Sequence, residues 1–271
     1  MSETPASASL HRRAAPVLSA IAWPLAGLAL LLGGLEAWVR LGDVPPYVFV
    51  PITDVVGTMV DQRSALLSAS AVTAKEIFAG FAVAVLVGVP IAVAIEASHW
   101  IERHVYPLLL MSQVTPLIAF VPIIVMWFGF GIESKVLVVF LFTFFPIVLD
   151  TVAGLRSTDV EKLYLARSIG AGQLATLLRI KLPNALPSMF VGLKIGATLA
   201  VIGAVVAEFI GASEGLGTVL LSASGNLDVA TMLAGIGYLT FLGFAFYVLV
   251  DGVERVALPW HSSRRVHAAK P

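Results

Sequence analysis

Residues 77–95 read IFAGFAVAVLVGVPIAVAI and contain no charged side chain. A helix crosses the hydrocarbon core of a bilayer with about 20 apolar residues, so this stretch is long enough to span it. Pro90 would break a helix in water, but membrane bundles tolerate proline because neighbouring groups satisfy the freed carbonyl. The stretch therefore predicts a transmembrane helix.

Similar apolar stretches lie on both sides of residues 77–95. They cover residues 14–35, 105–132, 136–155, 186–212 and 229–250. Together the six stretches predict an all-α membrane protein with about six transmembrane helices.

Composition supports residence in a membrane. Hydrophobic residues make up 58% of the chain and charged residues 13%, whereas a soluble domain carries about 25% charged residues. The formal net charge of zero argues against a nucleic-acid partner, which needs a basic surface. The chain has no cysteine, so disulfides and thiolate metal sites are excluded, and its five histidines show no metal-ligand spacing.

Basic residues predict the orientation, because cytoplasmic loops carry an excess of Lys and Arg. With the N-terminus inside, most Lys and Arg residues fall on inner segments, and only Arg40, Arg63, Lys75 and Lys135 fall on outer ones. Both termini are therefore predicted to be cytoplasmic. The predicted order is a cytoplasmic tail (1–13), a first transmembrane helix (14–41), an outer loop (42–75), a transmembrane core (76–258) that includes an inner loop (156–183), and a cytoplasmic tail (259–271).

The inner loop 156–183 predicts two short helices joined by a turn. Asp159 is placed to cap the first helix, and Gly170 can end it because glycine accepts the left-handed conformation of a helix stop. Pro183 is expected to stop the second helix before the chain re-enters the membrane. From the residues alone, this hairpin is either an ordinary solvated loop or a docking element.

The same loop resembles the cytoplasmic loop of ABC importer permeases. That family carries Glu-Ala-Ala, three residues, Gly, nine residues, Ile, one residue and Leu-Pro. Tyr164 and Leu165 occupy the places of the first Glu and Ala. The residues that match the pattern are Ala166, Gly170, Ile180, Leu182 and Pro183.

The resemblance covers residues 45–260. Stretches 79–90 and 122–135 are similar to the nitrate, sulfonate and thiamine-precursor branch of the family. Stretch 204–217, followed by residues 224–228, looks most like permeases for pyrimidine thiamine precursors or riboflavin.

The resemblance implies a type I ABC importer transmembrane-domain fold in a bacterial plasma membrane. It implies a permease that is not itself an enzyme and forms the pathway for a small solute from an external binding protein. The chain would work as a homodimer with two copies of an ABC ATPase subunit; it would bind no cofactor, and ATP and Mg²⁺ would sit on the ATPase. The residues implied to dock on the ATPase are Tyr164, Ala166, Arg167, Gly170, Ala171, Leu182 and Pro183.

Polar residues inside the apolar stretches, and aromatic residues near them, are candidates for the pathway. The polar ones have a second explanation, which is hydrogen bonding between helices for Ser112, Gln113 and Thr115 and snorkelling towards the outer interface for Glu208. Lys194 is likewise expected to snorkel towards the inner interface. The candidate pathway residues are Ser112, Gln113, Thr115, Phe120, Trp127 and Glu208.

Two other classes of membrane protein remain alternatives. An ion-coupled secondary transporter would show coupling-ion ligands or a proton relay at the midplane and repeated halves, and neither pattern is evident in the sequence. An intramembrane hydrolase would need a nucleophile with a base or a metal, and no histidine lies in the apolar stretches.

Overall fold

The computed structural model describes residue 23, residues 26–27 and residues 29–259, and this part of the chain is helical without a strand. The predicted tail 1–13, most of the predicted first transmembrane helix and nearly all of the tail 259–271 lie outside the described residues. The first described helix, α1, covers residues 29–41. The helices that follow are α2 (Ile52–Asp61), α3 (Arg63–Ala97), α4 (His99–Ser112), a 3₁₀ turn (Leu117–Phe120), α5 (Val121–Phe128), α6 (Ile132–Arg156), α7 (Val160–Ser168), α8 (Gln173–Thr176), a π turn (Leu177–Lys181), α9 (Leu182–Phe209), α10 (Leu216–Gly225) and α11 (Val229–Ala257).

Four helical segments of the described chain are long and apolar enough to cross a membrane. They are α3, α6, the continuous run Gln173–Phe209 and α11. A fifth span is formed if the bent pair of helices around residues 113–116 crosses as one unit. The chain is therefore an all-α, multi-pass membrane protein.

The segment 42–75, predicted as an outer loop, is largely helical. It contains α2 and the first turns of α3, which has 35 residues and begins at Arg63. Residues 63–75 contain neither proline nor glycine and are rich in alanine and leucine, so nothing interrupts the helix. At about 1.5 Å per residue, α3 is roughly 50 Å long and exceeds the hydrocarbon thickness.

The apolar stretch 105–132 was predicted as one span, and the structure divides it into two helical parts. The segments His99–Ser112 and Leu117–Phe128 meet at an angle of 93°. Pro116 explains the break, because it lacks an N–H and disfavours helical geometry at the residue before it.

Close contact between α6 and α9 rests on glycines. A Cβ added at Gly154 would lie 2.8 Å from the carbonyl oxygen of Ala185, and one at Gly192 would lie 2.9 Å from that of Pro146. Small residues let membrane helices approach until their backbones touch. The buried residues packed in this region are Ile77, Ala84, Val139, Ile147, Ala197, Ala200 and Phe246.

The described residues up to Arg63 form a separate compact unit with residues 223–234. In this unit, the Glu36 side chain on α1 accepts hydrogen bonds from Arg40 at 2.7 Å and from the hydroxyl of Thr53 at 2.8 Å. Directly after the end of α2, the Gln62 amide donates to Thr231 Oγ1 at 3.0 Å. These side chains tie α1 to the start of α2, and the end of α2 to the start of α11.

Asp228 caps the N-terminus of α11. Its Oδ1 accepts a hydrogen bond from the backbone N–H of Thr231 at 3.0 Å, and this bond lowers the pKa of the Asp228 carboxyl below its ordinary value. Asp228→Ala is expected to destabilise the protein by about 1 kcal/mol, because a helix N–H loses its acceptor. Thermal unfolding in detergent measures the loss.

The matched control is Asp228→Asn, whose amide oxygen can still accept the bond, so it should retain most of the stability. Because the folded-state pKa of Asp228 is lowered, its contribution is present above the unfolded pKa of about 3.9. The contribution disappears as the pH falls through the folded-state pKa. Equal losses in the Ala and Asn variants would contradict the capping role.

Candidate functional site

The hairpin between α6 and α9 contains the first group of predicted site residues. Helix α7 ends as predicted at Gly170, which has φ +77°. The N–H of Ala171 donates to the carbonyl of Ala166 at 2.9 Å, and that of Gly170 to the carbonyl of Arg167 at 3.0 Å. This pair of bonds is a Schellman motif, which satisfies the last carbonyls of the helix.

Asp159 does not cap α7 in the way predicted. It occupies the N-cap position, but its side chain makes no capping hydrogen bond. The carboxylate instead contacts Lys162 Nζ at 2.7 Å. The Asp159 side chain therefore forms an ion pair with a residue three positions later instead of a capping hydrogen bond.

Pro183 does not stop the second helix of the hairpin. Residues Gln173–Phe209 form one continuous helical run, in which Leu182 and Pro183 are half-buried. A π turn over Leu177–Lys181 directly precedes the proline. Such a turn shifts the hydrogen-bond register, so the missing N–H of the proline is accommodated without a break.

The hairpin presents an exposed apolar surface. Tyr164 is 64% exposed and Ile169 75% exposed, whereas Ala166 between them is 1% exposed and anchors α7. Among the other predicted residues, Arg167 is exposed and Ala171 is half-buried. Contiguous exposed apolar side chains mark an interaction site. This hairpin surface consists of Val160, Tyr164, Leu165, Ile169 and Leu174.

A cluster of ion pairs holds the base of the hairpin. Arg156, the last residue of α6, contacts Glu102 at 2.7 Å and Glu96 at 3.4 Å, and its guanidinium lies 4.8 Å from the centre of the Tyr106 ring. Lys181 contacts the same Glu96 at 2.5 Å. A cavity of about 540 Å³ is lined by Glu96, Arg167 and Lys181, among others. Glu96 and Glu102 were not among the predicted site residues, although acidic residues opposite a basic loop were a usable signal.

Among the predicted pathway residues of the broken span, Ser112, Gln113 and Thr115 lie at or beside the break. Ser112 Oγ donates to the carbonyl of Leu109 at 2.6 Å, and Thr115 Oγ1 to that of Met111 at 3.3 Å. These bonds are local, to a carbonyl three or four residues earlier, rather than between helices. Gln113, Phe120 and Trp127 are exposed, with Trp127 at 75%. Their role in a pathway stays a prediction.

Glu208 does not snorkel to an interface, because its side chain is fully enclosed. Its Oε1 accepts a hydrogen bond from Thr73 Oγ1 at 2.7 Å, and its Oε2 accepts one from the backbone N–H of Gly217. The N–H of Leu216 donates to the same threonine hydroxyl at 2.9 Å. A Cβ at Gly215 would lie 2.2 Å from the carboxylate, so glycine is needed for this close approach. Within this conformation Glu208 is part of the packing.

Lys135, which was assigned to an outer segment, and Lys194, which was predicted to snorkel, are both held by acidic partners. Lys135 contacts Glu76 at 2.8 Å, and both side chains are buried. Lys194 contacts Asp251 at 2.6 Å and also pairs with Glu254, so it links α9 to α11 instead of snorkelling. These partners could not be found from sequence spacing, because Glu76 is 59 residues from Lys135 and Asp251 is 57 residues from Lys194.

Comparison with known proteins supports the resemblance noted in the sequence. The family described as "Binding-protein-dependent transport system inner membrane component" matches residues 84–257. The formylaminopyrimidine transport permease protein ThiX of Halalkalibacterium halodurans is 37% identical, over 79% of this chain and 86% of ThiX. The riboflavin transport system permease protein RibX of Chloroflexus aurantiacus is 32% identical, over 89% of this chain and 92% of RibX.

A solved structure shares the fold. A chain of the MetNI methionine ABC transporter superposes with a TM-score of 0.59 at 18% identity, over 74% of this chain and 98% of that chain. The matched family segment includes the hairpin, the broken span and the helices α6, α9 and α11 described above. The chain therefore belongs to the binding-protein-dependent transport system inner membrane components, the permeases of ABC importers.

Proposed function

We propose that this permease works as a homodimer with two ABC ATPase subunits and receives its solute from an external binding protein. The observation that carries the proposal is the hairpin surface, an exposed apolar patch on a firmly anchored hairpin. A patch of this kind fits a groove on a protein partner better than it fits water. ATP and Mg²⁺ bind to the ATPase partner, and the permease contributes no catalytic group.

The anchoring of the hairpin supports a role in coupling. When nucleotide binding moves the ATPase subunits, the hairpin moves with them, and the pairs from Glu96 to Arg156 and Lys181 carry that motion to α3, α6 and α9. The motion then shifts the population between inward-open and outward-open states of the permease. The hairpin lies on the cytoplasmic side in this arrangement, with both termini also cytoplasmic.

The substrate that we propose is a small heteroaromatic compound, either a pyrimidine precursor of thiamine or riboflavin. Similarity to ThiX and RibX supports this class. Exposed aromatic side chains at the broken span, including Phe120 and Trp127, suit a flat aromatic solute. A sulfonate or nitrate-like anion is the second candidate, but Lys135 and Lys194 are each held by carboxylates, which disfavours their use by an anion.

Transport by reconstituted protein tests the proposal. The full chain, its ATPase and its binding protein are placed in vesicles, and uptake of labelled formylaminopyrimidine, riboflavin and taurine is compared with and without ATP. ATP-dependent uptake of one of the two heteroaromatic compounds is expected. Uptake by the chain alone, driven by an ion gradient, would instead identify a secondary transporter, and uptake of taurine alone would contradict the substrate class.

The hairpin surface itself gives a sharper prediction. Leu165→Asp and Ile169→Asp are each expected to weaken ATPase binding by about 2 kcal/mol, or ~30-fold, because each puts a charge in an apolar contact. Membrane insertion should be unchanged, since both side chains are exposed. Co-purification of the ATPase and ATP-driven uptake are the two measurements.

The matched control is Gln173→Asp, which adds the same charge at an exposed position of the hairpin without removing apolar surface. An aspartate suits this position at the start of α8. Normal ATPase binding by both hairpin variants would exclude the hairpin surface as the docking site.

A further inference from the structure

The turn between α10 and α11 holds a leucine in the left-handed backbone conformation. The N–H of Leu227 donates to the carbonyl of Ser224 at 3.2 Å, and that of Asp228 to the carbonyl of Ala223 at 2.9 Å. This pair of bonds is a second Schellman motif, which requires a positive φ at Leu227. The observed φ is +55°. Asp228 also caps α11, so the two helices share this turn.

Leucine is an unfavourable residue for this conformation. A left-handed backbone brings Cβ too close to the following carbonyl oxygen, so glycine or asparagine usually occupies such a position. The corresponding residue of the hairpin is Gly170. In the part of the chain that the structure describes, the only other non-glycine residue with positive φ is Asp43, and aspartate tolerates this conformation. Leu227 therefore carries a strain that glycine or asparagine would relieve.

Packing within the chain does not explain the leucine. Its side chain is 65% exposed, and the polar residues Ser224, Asn226 and Asp228 beside it are exposed as well. A residue before an N-cap can pack on the residue five positions later, here Met232, but most of Leu227 stays uncovered. A single exposed leucine is ordinary, whereas this one is both exposed and strained. Backbone strain of this kind clusters at sites that contact ligands.

The turn lies on the side of the membrane opposite the hairpin. The spanning run Gln173–Phe209 leads away from the hairpin, and α11, which begins at Val229, is the next spanning helix. The connection 210–228 between these two spans therefore faces the other compartment. With the hairpin on the ATPase, that compartment is the one from which the solute arrives. The polar neighbours of Leu227 suit water, so its contact there is with a protein rather than with hydrocarbon.

We propose that Leu227 is a contact point for the external binding protein, which takes the exposed side chain into an apolar pocket on its own surface. This inference rests on the proposed function, because it uses the partner named there. A side chain carried by a hydrogen-bonded helix stop is already positioned, so little freedom is lost on binding. Burial of the leucine in the complex then offsets the strain that the turn keeps in the free permease.

Replacing Leu227 with asparagine tests the proposal, because strain and contact predict opposite changes. Asparagine accepts the left-handed conformation, so the unfolding temperature should rise by about 2–4 °C. Loss of the apolar side chain should raise about tenfold the concentration of binding protein that half-maximally stimulates ATP hydrolysis by the complex in vesicles. Leu227→Met keeps an apolar side chain and the strain, so it should resemble the wild type in both measurements.

Cross-linking tests the contact directly. The chain has no cysteine, so Leu227→Cys introduces a single thiol that can carry a photoactivatable maleimide. In vesicles that contain the ATPase, the labelled protein should capture the binding protein that supports uptake. The control is Tyr164→Cys on the hairpin surface, which should capture the ATPase instead.

Several results would overturn the proposal. A Leu227→Asn protein less stable than the wild type would show that the leucine is kept for packing, and an unchanged half-maximal concentration would show that the binding protein does not use it. Capture of a second permease copy, or of lipid alone, would assign Leu227 to a dimer interface or to the membrane surface. A wild-type complex that does not respond to the binding protein would contradict the proposed function and this inference together, whereas a response that Leu227→Asn retains contradicts this inference alone.

Discussion

Replacing Lys135 with methionine is expected to destabilise the protein by about 3–5 kcal/mol, the cost of leaving a buried charge without its partner. Methionine fills a similar volume, so the change removes the ammonium group without opening a large cavity. Glu76 then loses its contact at 2.8 Å and remains enclosed. The amount of monodisperse protein after detergent extraction, and its unfolding temperature, measure the effect.

Two further variants separate the charge from the shape of the side chain. Lys135→Met combined with Glu76→Met removes both partners of the pair and should recover part of the lost stability, because an apolar pair can replace a buried ion pair. Lys75→Met removes an exposed lysine of α3 and should have little effect. Wild-type stability in the Lys135→Met protein would show that the pair contributes nothing to the fold.

A leucine at Gly154 is expected to cost about 3 kcal/mol, at the upper end of overpacking effects. The added Cβ would lie 2.8 Å from the carbonyl oxygen of Ala185 and 2.8 Å from Cβ of Ser188. A backbone oxygen of a long helix cannot turn away as a side chain can. Helices α6 and α9 would therefore have to separate along the contact where their backbones meet. Unfolding temperature and extraction yield report this change as well.

Gly252→Leu on α11 is the matched control, because a Cβ at Gly252 meets nothing within 4 Å. Replacing this glycine improves helix propensity and should leave stability unchanged or slightly higher. Gly154→Ala should fall between the control and Gly154→Leu. A Gly154→Leu protein as stable as the control would contradict the close approach of α6 and α9.

The membrane-spanning helices were predictable because each leaves a local trace in the sequence. An uncharged run such as residues 77–95 shows its length directly. The run could not show that α3 begins at Arg63, because residues 63–75 are helix-forming without being strongly apolar. Likewise, the run 105–132 could not show the bend of 93° between its two helical parts, because that angle depends on how both parts pack.

The candidate site was predictable where a single residue decides the backbone. Gly170 ends α7 through its own conformational freedom, and the structure agrees. The prediction that Pro183 stops the helix was wrong, because the π turn before it accommodates the missing N–H of the proline. The prediction that Glu208 and Lys194 snorkel to the interfaces was wrong for a different reason, since their partners are far away in sequence. Thr73 and Asp251 become neighbours only after the helices assemble.

The carboxylate of Glu96 binds Lys181 as well as Arg156. The residues between these two basic side chains therefore form a closed ring that is fastened to α3 at one point. A ring closed at its base resists being pulled open, so a sideways force at its tip acts as torque on the three helices that meet there. In the proposed complex with an ATPase, such a hairpin would turn about Glu96, and a longer or shorter ring would change the size rather than the direction of that movement.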